Sequence, residues 1–229
     1  MVNSKISVIM SVFNDEKNVE NSIRSILNQT YKNFDFFIID DCSSDQTYKK
    51  IMNFSGDQRI KIFQNDKNLG LTKSLNYLIE QVDGKYIFRQ DSDDRSYPDR
   101  FYKQLEILEA GNYKVCTSRA INMTNEKKIP GLSSWIPKKI IMNYKNPYIH
   151  GTLAIEKKLL NSIGNYDEEY YYSQDFKLFL DLYNKNEEIY EIKEPLYLLN
   201  TRNNISSKHK NLQKSYFKKA INSNKEKTK

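Results

Sequence analysis

Three carboxylates stand within four residues at Asp91-Ser92-Asp93-Asp94, directly after a β-like run over 85–88. Held together and desolvated, such groups repel one another and cost stability. A hard divalent cation removes that cost, and Mg2+ or Mn2+ binds typically through one or two carboxylates plus substrate phosphates. A solvated acidic turn capping the next helix is the alternative for this segment taken alone. Asp40-Asp41 ends a second apolar run, where a carboxylate can accept from the N3–H of a uracil base. Phe13-Asn14 ends a third, where an aromatic ring can cover a base. Turn formation and core packing account for either pair separately. Convergence of all three needs a fold that brings strand ends together.

The pattern around them supplies one. Strand-like runs at 6–13, 34–39, 60–64 and 85–88 alternate with helical patterns at 16–29, 44–53 and 72–81. Val19, Ile23, Ile26 and Leu27 share one helical face, and Ser44-Asp45 can cap the second helix. The run at 34–39 is mostly apolar, as expected of a strand covered on both faces of a parallel sheet. This βαβαβαβ alternation implies a doubly wound parallel sheet, in which ligands bind at the carboxyl ends of the strands. Phe13-Asn14, Asp40-Asp41 and 91–94 then line one edge. Beyond them we expect a helix at 98–108, a strand at 113–118, a variable loop at 119–148, and helices at 156–163 and 174–183.

Composition narrows the function. The 229 residues suffice for one sizeable domain with a core. Mean hydropathy is -0.75, and no stretch reaches the roughly 18 apolar residues of a membrane span. No basic region or cleavage site precedes the first strand, so no signal peptide is expected. Cys42 and Cys116 make neither a disulfide framework nor a metal motif, and a cytoplasmic setting is expected. Residues 208–229 hold eight lysines against Glu226, so this segment carries the whole formal charge of +7. We expect a solvated basic tail there. Its Leu212, Tyr216, Phe217 and Ile221 lie at near-helical spacing, which would also suit peripheral contact with an anionic membrane. Nucleic acid is not an expected partner, because aromatics and basic residues are not interleaved elsewhere.

The motifs in order resemble those of family 2 glycosyltransferases of the GT-A fold. The resemblance is carried by Ser7–Asn14 (SVIMSVFN), Ser22–Thr30 (SIRSILNQT), Phe36–Asp45 (FFIIDDCSSD), Asn68-Leu69-Gly70 with Asn76, Gly84–Ile87, Arg89–Asp94 (RQDSDD) and Pro98-Asp99-Arg100. It covers about 5–110 strongly and 149–205 more loosely. It implies an α/β, Rossmann-like fold: a mostly parallel central sheet flanked by helices, as a single domain over 1–207. Residues 1–95 would form the nucleotide-binding half and 96–207 a smaller acceptor-binding half, with the basic tail at 208–229.

The implied activity is metal-dependent, inverting transfer from a UDP-sugar to a glycan or lipid-linked saccharide. The implied setting is bacterial surface polysaccharide synthesis, such as lipopolysaccharide or capsule, at the inner face of the cell membrane. By the same resemblance Ser11, Phe13, Asn14, Asp41, Lys73, Asp91, Ser92 and Arg202 bind the nucleotide sugar, with Phe13 and Asp41 on the uracil and Asp91 on the ribose. Asp93, with Asp91, holds Mn2+ or Mg2+. His150 and Gln174 line the acceptor side, and Asp175 is the catalytic base. Two positions depart from the family pattern. Gln174 stands where many members carry glutamate, and Asn204 where a histidine often follows the arginine. A sugar nucleotidyltransferase is an alternative on a related fold, but its Gly-rich loop is missing after Phe13, where the chain reads Asn14-Asp15-Glu16-Lys17. A non-catalytic nucleotide- or membrane-binding module would leave the acidic cluster without a purpose.

Overall fold

A computed structural model describes residues 2–131, 135–202 and 209–227. The expected alternation is present as β1 (Ile6–Val12), α1 (Val19–Leu27), β2 (Phe34–Asp40), α2 (Thr47–Met52), β3 (Ile60–Gln64), α3 (Leu71–Gln81) and β4 (Tyr86–Arg89). These four strands pair in parallel in the order β3-β2-β1-β4, with Val12 beside Asp40 and Ile9 beside Arg89. Alternate β1 side chains serve two cores. Ile6, Val8, Met10 and Val12 pack with α1 and with Phe101, Leu105 and Leu108, whereas Ile9 packs with Leu75, Leu78 and Ile79 of α3. Both faces are covered, which is why these strands read as continuous apolar runs.

The second half is mixed, and here the sequence reading misses elements. After β5 (Arg95–Ser96) and α4 (Arg100–Glu109) come β6 (Val115–Asn122), β7 (Lys128–Ile129), α5 (Lys138–Ile141), β8 (Ala154–Glu156), α6 (Lys157–Ser162), α7 (Gln174–Asn184) and β9 (Ile189–Leu199). Strand β8 joins β4 antiparallel and continues the sheet through β6, β9 and β5. At three residues it is too short to show a period. Strand β9 runs parallel to β6, and the register shifts around Arg119, opposite Pro195. A proline has no N–H to give the ladder and belongs at such an irregularity.

The basic C-terminal segment is a correction. It is not a solvated tail but a helix, α8 (Lys210–Lys227). Tyr216, Phe217, Ala220 and Ile221 pack against Met142, Tyr170, Phe176 and Leu180. The apolar stripe that could have met a membrane is spent on the protein's own surface, and only Leu212 is left 45% exposed. Lys208 and Lys229 lie outside the described residues. No helix among the described residues is long and apolar enough to cross a membrane.

Candidate active site

Strand β1 lies between β2 and β4, so the ends of those two strands stand about 10 Å apart, two interstrand spacings, with β1 between them. Asn14 ties the first two loops together from a left-handed backbone (φ 48). Its N–H donates to Ser43 Oγ, and its Oδ1 accepts from Ser44 N at 2.8 Å. Ser11 is partly buried behind it, and Phe13 stands 49% exposed on the edge.

Asp41 is only 2% exposed. Its amide donates to Val12 O. Its carboxylate accepts from Asn65 Nδ2, Leu69 N and Gly70 N at 2.7–2.8 Å, so one lone-pair position is left for a ligand. Asp40 is fully buried and takes Ser43 N and Gln64 Nε2, while its Oδ1 has no partner among the described residues. Gly70 has φ 87, and a methyl group there would stand 2.6 Å from the Tyr171 ring. Tyr171 therefore lies directly over the loop that encloses Asp41. Lys73, in the first turn of α3, is exposed nearby.

The acidic segment is built around Gln90. Its Nε2 donates to Ser22 Oγ, Asp91 O and Asp94 O, and its Oε1 accepts from Ser96 Oγ. The three carboxylates then part company. Asp94 turns inward, where Asn200 N donates to it at 2.6 Å; burial and then the charges of Asp93 and Asp91 push its pKa well up. Asp91 is ion-paired at 2.5 Å with Arg89, and its amide donates to Tyr197 Oη. Among the described residues Asp93 has neither a cationic partner nor a buried donor from another residue. Burial, then Asp91 and Asp15, push its pKa to about 7.

Asp15 is a member that sequence reading missed. It accepts from Ser92 Oγ at 2.7 Å, and burial raises its pKa. No group of three or more acid, histidine or cysteine ligands forms a metal cage among the described residues. Two hard carboxylates left short of positive charge nevertheless suit an ion that completes its shell with phosphate oxygens and water.

Two buried arginines carry this segment. Arg89, 1% exposed, donates through Nη1 to Ile9 O and Gln90 O. Arg100, fully buried, donates to Gly151 O, Arg89 O and Gln90 Oε1. Desolvation lowers the Arg100 pKa to about 10, which leaves it charged at neutral pH. Buried charge survives only when paired and hydrogen-bonded. A cation inside the apolar strand Tyr86-Ile87-Phe88-Arg89 was the sequence signal for this pairing. Tyr197, more than 100 residues further on, left none.

The segment expected to form the acceptor side meets the same network. His150 opens a single 3-10 turn, His150–Thr152. Its Nε2 lies 2.7 Å from Tyr166 Oη. Burial, then the Arg89 charge, lower its pKa to about 4, so the ring is neutral under ordinary conditions. A methyl group on Gly151 would overlap the Tyr197 hydroxyl and stand 2.7 Å from Asp91 Oδ2. Only glycine lets this turn approach the acidic segment so closely. Asp175, half-buried in the first turn of α7, accepts from Asn146 Nδ2 at 2.7 Å. Gln174 precedes it, also half-buried.

Arg202 is exposed, and its N–H donates to Asn200 Oδ1. Asn200 is the residue bonded to Asp94, so the stretch leading to Arg202 starts on the acidic segment. Asn204 lies outside the described residues. Thus the edge gathers Ser11, Phe13, Asn14, Asp41, Asp91, Ser92 and Asp93, and the turn at His150 links it to the side where Asp175 stands.

Comparison with known proteins agrees with this architecture. Residues 7–163 match the model of the family described as Glycosyl transferase family 2. EpsE of Bacillus subtilis (strain 168), whose name assigns it provisionally to the glycosyltransferases, is 32% identical over 199 residues, 84% of this chain and 72% of that protein. WfgD of Escherichia coli, named a UDP-Glc:alpha-D-GlcNAc-diphosphoundecaprenol beta-1,3-glucosyltransferase, is 30% identical over 184 residues, 79% of this chain and 70% of its own. Among solved structures, S. aureus TarS 1-349 in complex with UDP-GlcNAc superposes with a TM-score of 0.76 at 20% identity, over 90% of this chain and 61% of that one. The last likeness establishes the GT-A type of fold.

Proposed function

We infer the reaction from one premise: the chain belongs to glycosyl transferase family 2 and is a nucleotide-sugar-dependent glycosyltransferase. On it we propose metal-dependent, inverting transfer of a sugar from a UDP-sugar to a saccharide, carried on a lipid diphosphate as in WfgD. The observation that supports this most is the meeting of three parallel strand ends with the His150 turn, which joins that edge to the side where the Asp175 carboxylate stands, held at one oxygen by Asn146. The premise sets aside the nucleotidyltransferase and the non-catalytic module.

In this reading Phe13 covers the uracil and Asp41 accepts from it through its remaining lone pair. Ser11, Asn14 and Ser92 shape the edge, and Asp91, held by Arg89, takes the ribose. Lys73 and Arg202 face the diphosphate. Asp93, with Asp91 beside it, would hold Mn2+ or Mg2+, whose Lewis acidity stabilises charge on the departing diphosphate. Asp175, held at one oxygen by Asn146, takes the proton from the acceptor hydroxyl as it attacks the anomeric carbon. His150 and Gln174 line the acceptor side. The 1–95 half binds donor and the 96–207 half binds acceptor.

The test is thermal unfolding with UDP, with and without Mn2+, followed by UDP release from UDP-glucose and UDP-N-acetylglucosamine. UDP at 100 times its Kd in the presence of metal should stabilise the protein by about 2.7 kcal/mol. Equal stabilisation by UDP in a chelator would reject the metal, and no response to any nucleoside diphosphate would reject the donor site.

A lipid-linked acceptor places the enzyme at the inner membrane face. Exposed Lys210, Lys214 and Lys218 repeat every four residues along α8 and suit an anionic bilayer by charge alone, at about 1 kcal/mol each. We expect co-sedimentation with phosphatidylglycerol vesicles that is lost in high salt. Equal binding to phosphatidylcholine vesicles would disprove it.

A further inference from the structure

Ser173 is the residue from which α7 starts, two positions before Asp175, and it is unusual in two ways. Its backbone is left-handed (φ 56, ψ 24), and its side chain makes no capping bond to its own helix. A non-glycine residue in that conformation is strained and persists only where its surroundings hold it. Serine at a helix start normally accepts from an amide of the first turn. Here the hydroxyl turns away and donates instead to α8, 3.0 Å from Gln213 O and 2.8 Å from Gln213 Oε1. Ser173 is 5% exposed, so water does not replace this partner.

The rest of the approach to Asp175 is held by the same helix. Lys219 of α8 pairs with Glu169 at 3.1 Å. Tyr216 meets the rings of Tyr170 and Tyr172, with centroids 6.1 and 5.8 Å apart. The Phe217 ring lies tilted against Phe176, one residue past Asp175, with centroids 4.2 Å apart. On its other side the segment carries Tyr171, whose ring lies on Gly70 in the loop around Asp41. The 169–176 segment is therefore a strap fastened to α8 at one side and laid over the donor edge at the other.

We propose that α8, through the Gln213–Ser173 contact, is a positioning element of the transfer site: it fixes the left-handed entry into α7 and so the place of Asp175. Gln213 and Ser173 are positioning residues, acting through Asp175. The inference rests on Asp175 being the base.

The experiment compares full-length Ser173→Ala, Gln213→Ala, Gln213→Glu and Asp175→Asn on the donor–acceptor pair that the wild type turns over fastest, starting from UDP-glucose and alpha-D-GlcNAc-diphosphoundecaprenol. Ser173→Ala should lower kcat at least tenfold, with the KM for UDP-sugar and the Kd for UDP unchanged within twofold. Gln213→Ala keeps the backbone carbonyl and should fall between that and wild type, whereas Gln213→Glu keeps an acceptor oxygen and should restore most of kcat. Asn222→Ala, on an exposed part of α8, serves as the control. Wild-type kcat in both Ser173→Ala and Gln213→Ala overturns the positioning role alone, and so does a loss of kcat that tracks a loss of UDP binding. Wild-type transfer by Asp175→Asn overturns the base assignment and the inference with it.

Discussion

Replacing Asp175 by asparagine is expected to lower kcat about 10²–10⁴-fold, the usual worth of general base assistance, while UDP binding and thermal stability stay near wild type. The geometry favours this separation. Asp175 sits half-buried in the first turn of α7, and among the described residues its hydrogen-bond partner is Asn146 Nδ2, 2.7 Å from Oδ2. No cation among the described residues is paired with it, so the amide leaves none of their charges stranded. The side chain also adds favourably to the helix dipole, and losing that charge costs about 0.3–1 kcal/mol. A purely structural role would thus appear as a small drop in Tm with kcat intact. Steady-state kinetics beside a melting curve decides it, and transfer at wild-type rate by Asp175→Asn sinks the proposed mechanism.

Asp93→Ala is expected to abolish both transfer and the metal-dependent part of UDP binding, without destabilising the free protein. Asp93 is desolvated by burial and then crowded by Asp91 and Asp15, which together raise its pKa to about 7, and it has no cationic partner among the described residues. Removing it relieves like-charge repulsion, so melting without ligand should occur no lower than in wild type. With UDP and Mn2+ present, the stabilisation seen in wild type should be missing. If the bound ion supplies about 3 kcal/mol to the transition state, its loss costs at least a hundredfold in rate. The contrast with Asp91 is instructive. Asp91→Ala would leave the Arg89 guanidinium buried without its carboxylate, and its effect on folding would obscure any effect on the reaction. A variant of Asp93 that keeps full UDP-plus-metal stabilisation would remove this residue from the cation site.

The first half of the molecule was readable because its signals are local. Each strand-and-helix pair shows its own period, and the carboxyl-end rule then places Phe13, Asp41 and Asp91 on one edge without further information. Arg89 was half-readable. A cation at the end of the otherwise apolar strand Tyr86–Arg89 calls for a nearby acid, and Asp91 is the nearest one in sequence, but nothing local chose among Asp91, Asp93 and Asp94. That choice depends on Tyr197 and Asn200, which reach Asp91 and Asp94 from 106 residues away. Strand β8 was missed because three residues show no period, and β9 because Pro195 interrupts a weak alternation.

By its order of apolar periods and acidic strand ends, the chain alone determined the parallel core and the strand-end edge at which we propose that the donor binds. These depend on contacts within one βα unit and its neighbours, which local periods and the carboxyl-end rule already specify. Tertiary structure alone decided which carboxylate is spare and which is paired, how closely Gly151 lets the His150 turn approach the acidic segment, and that a lysine-rich tail is a docked helix bonded to Ser173. Each of these depends on groups 40 or more residues apart meeting with the right partner. A buried charge or hydroxyl takes whichever partner the packing delivers, and no period in the chain records it.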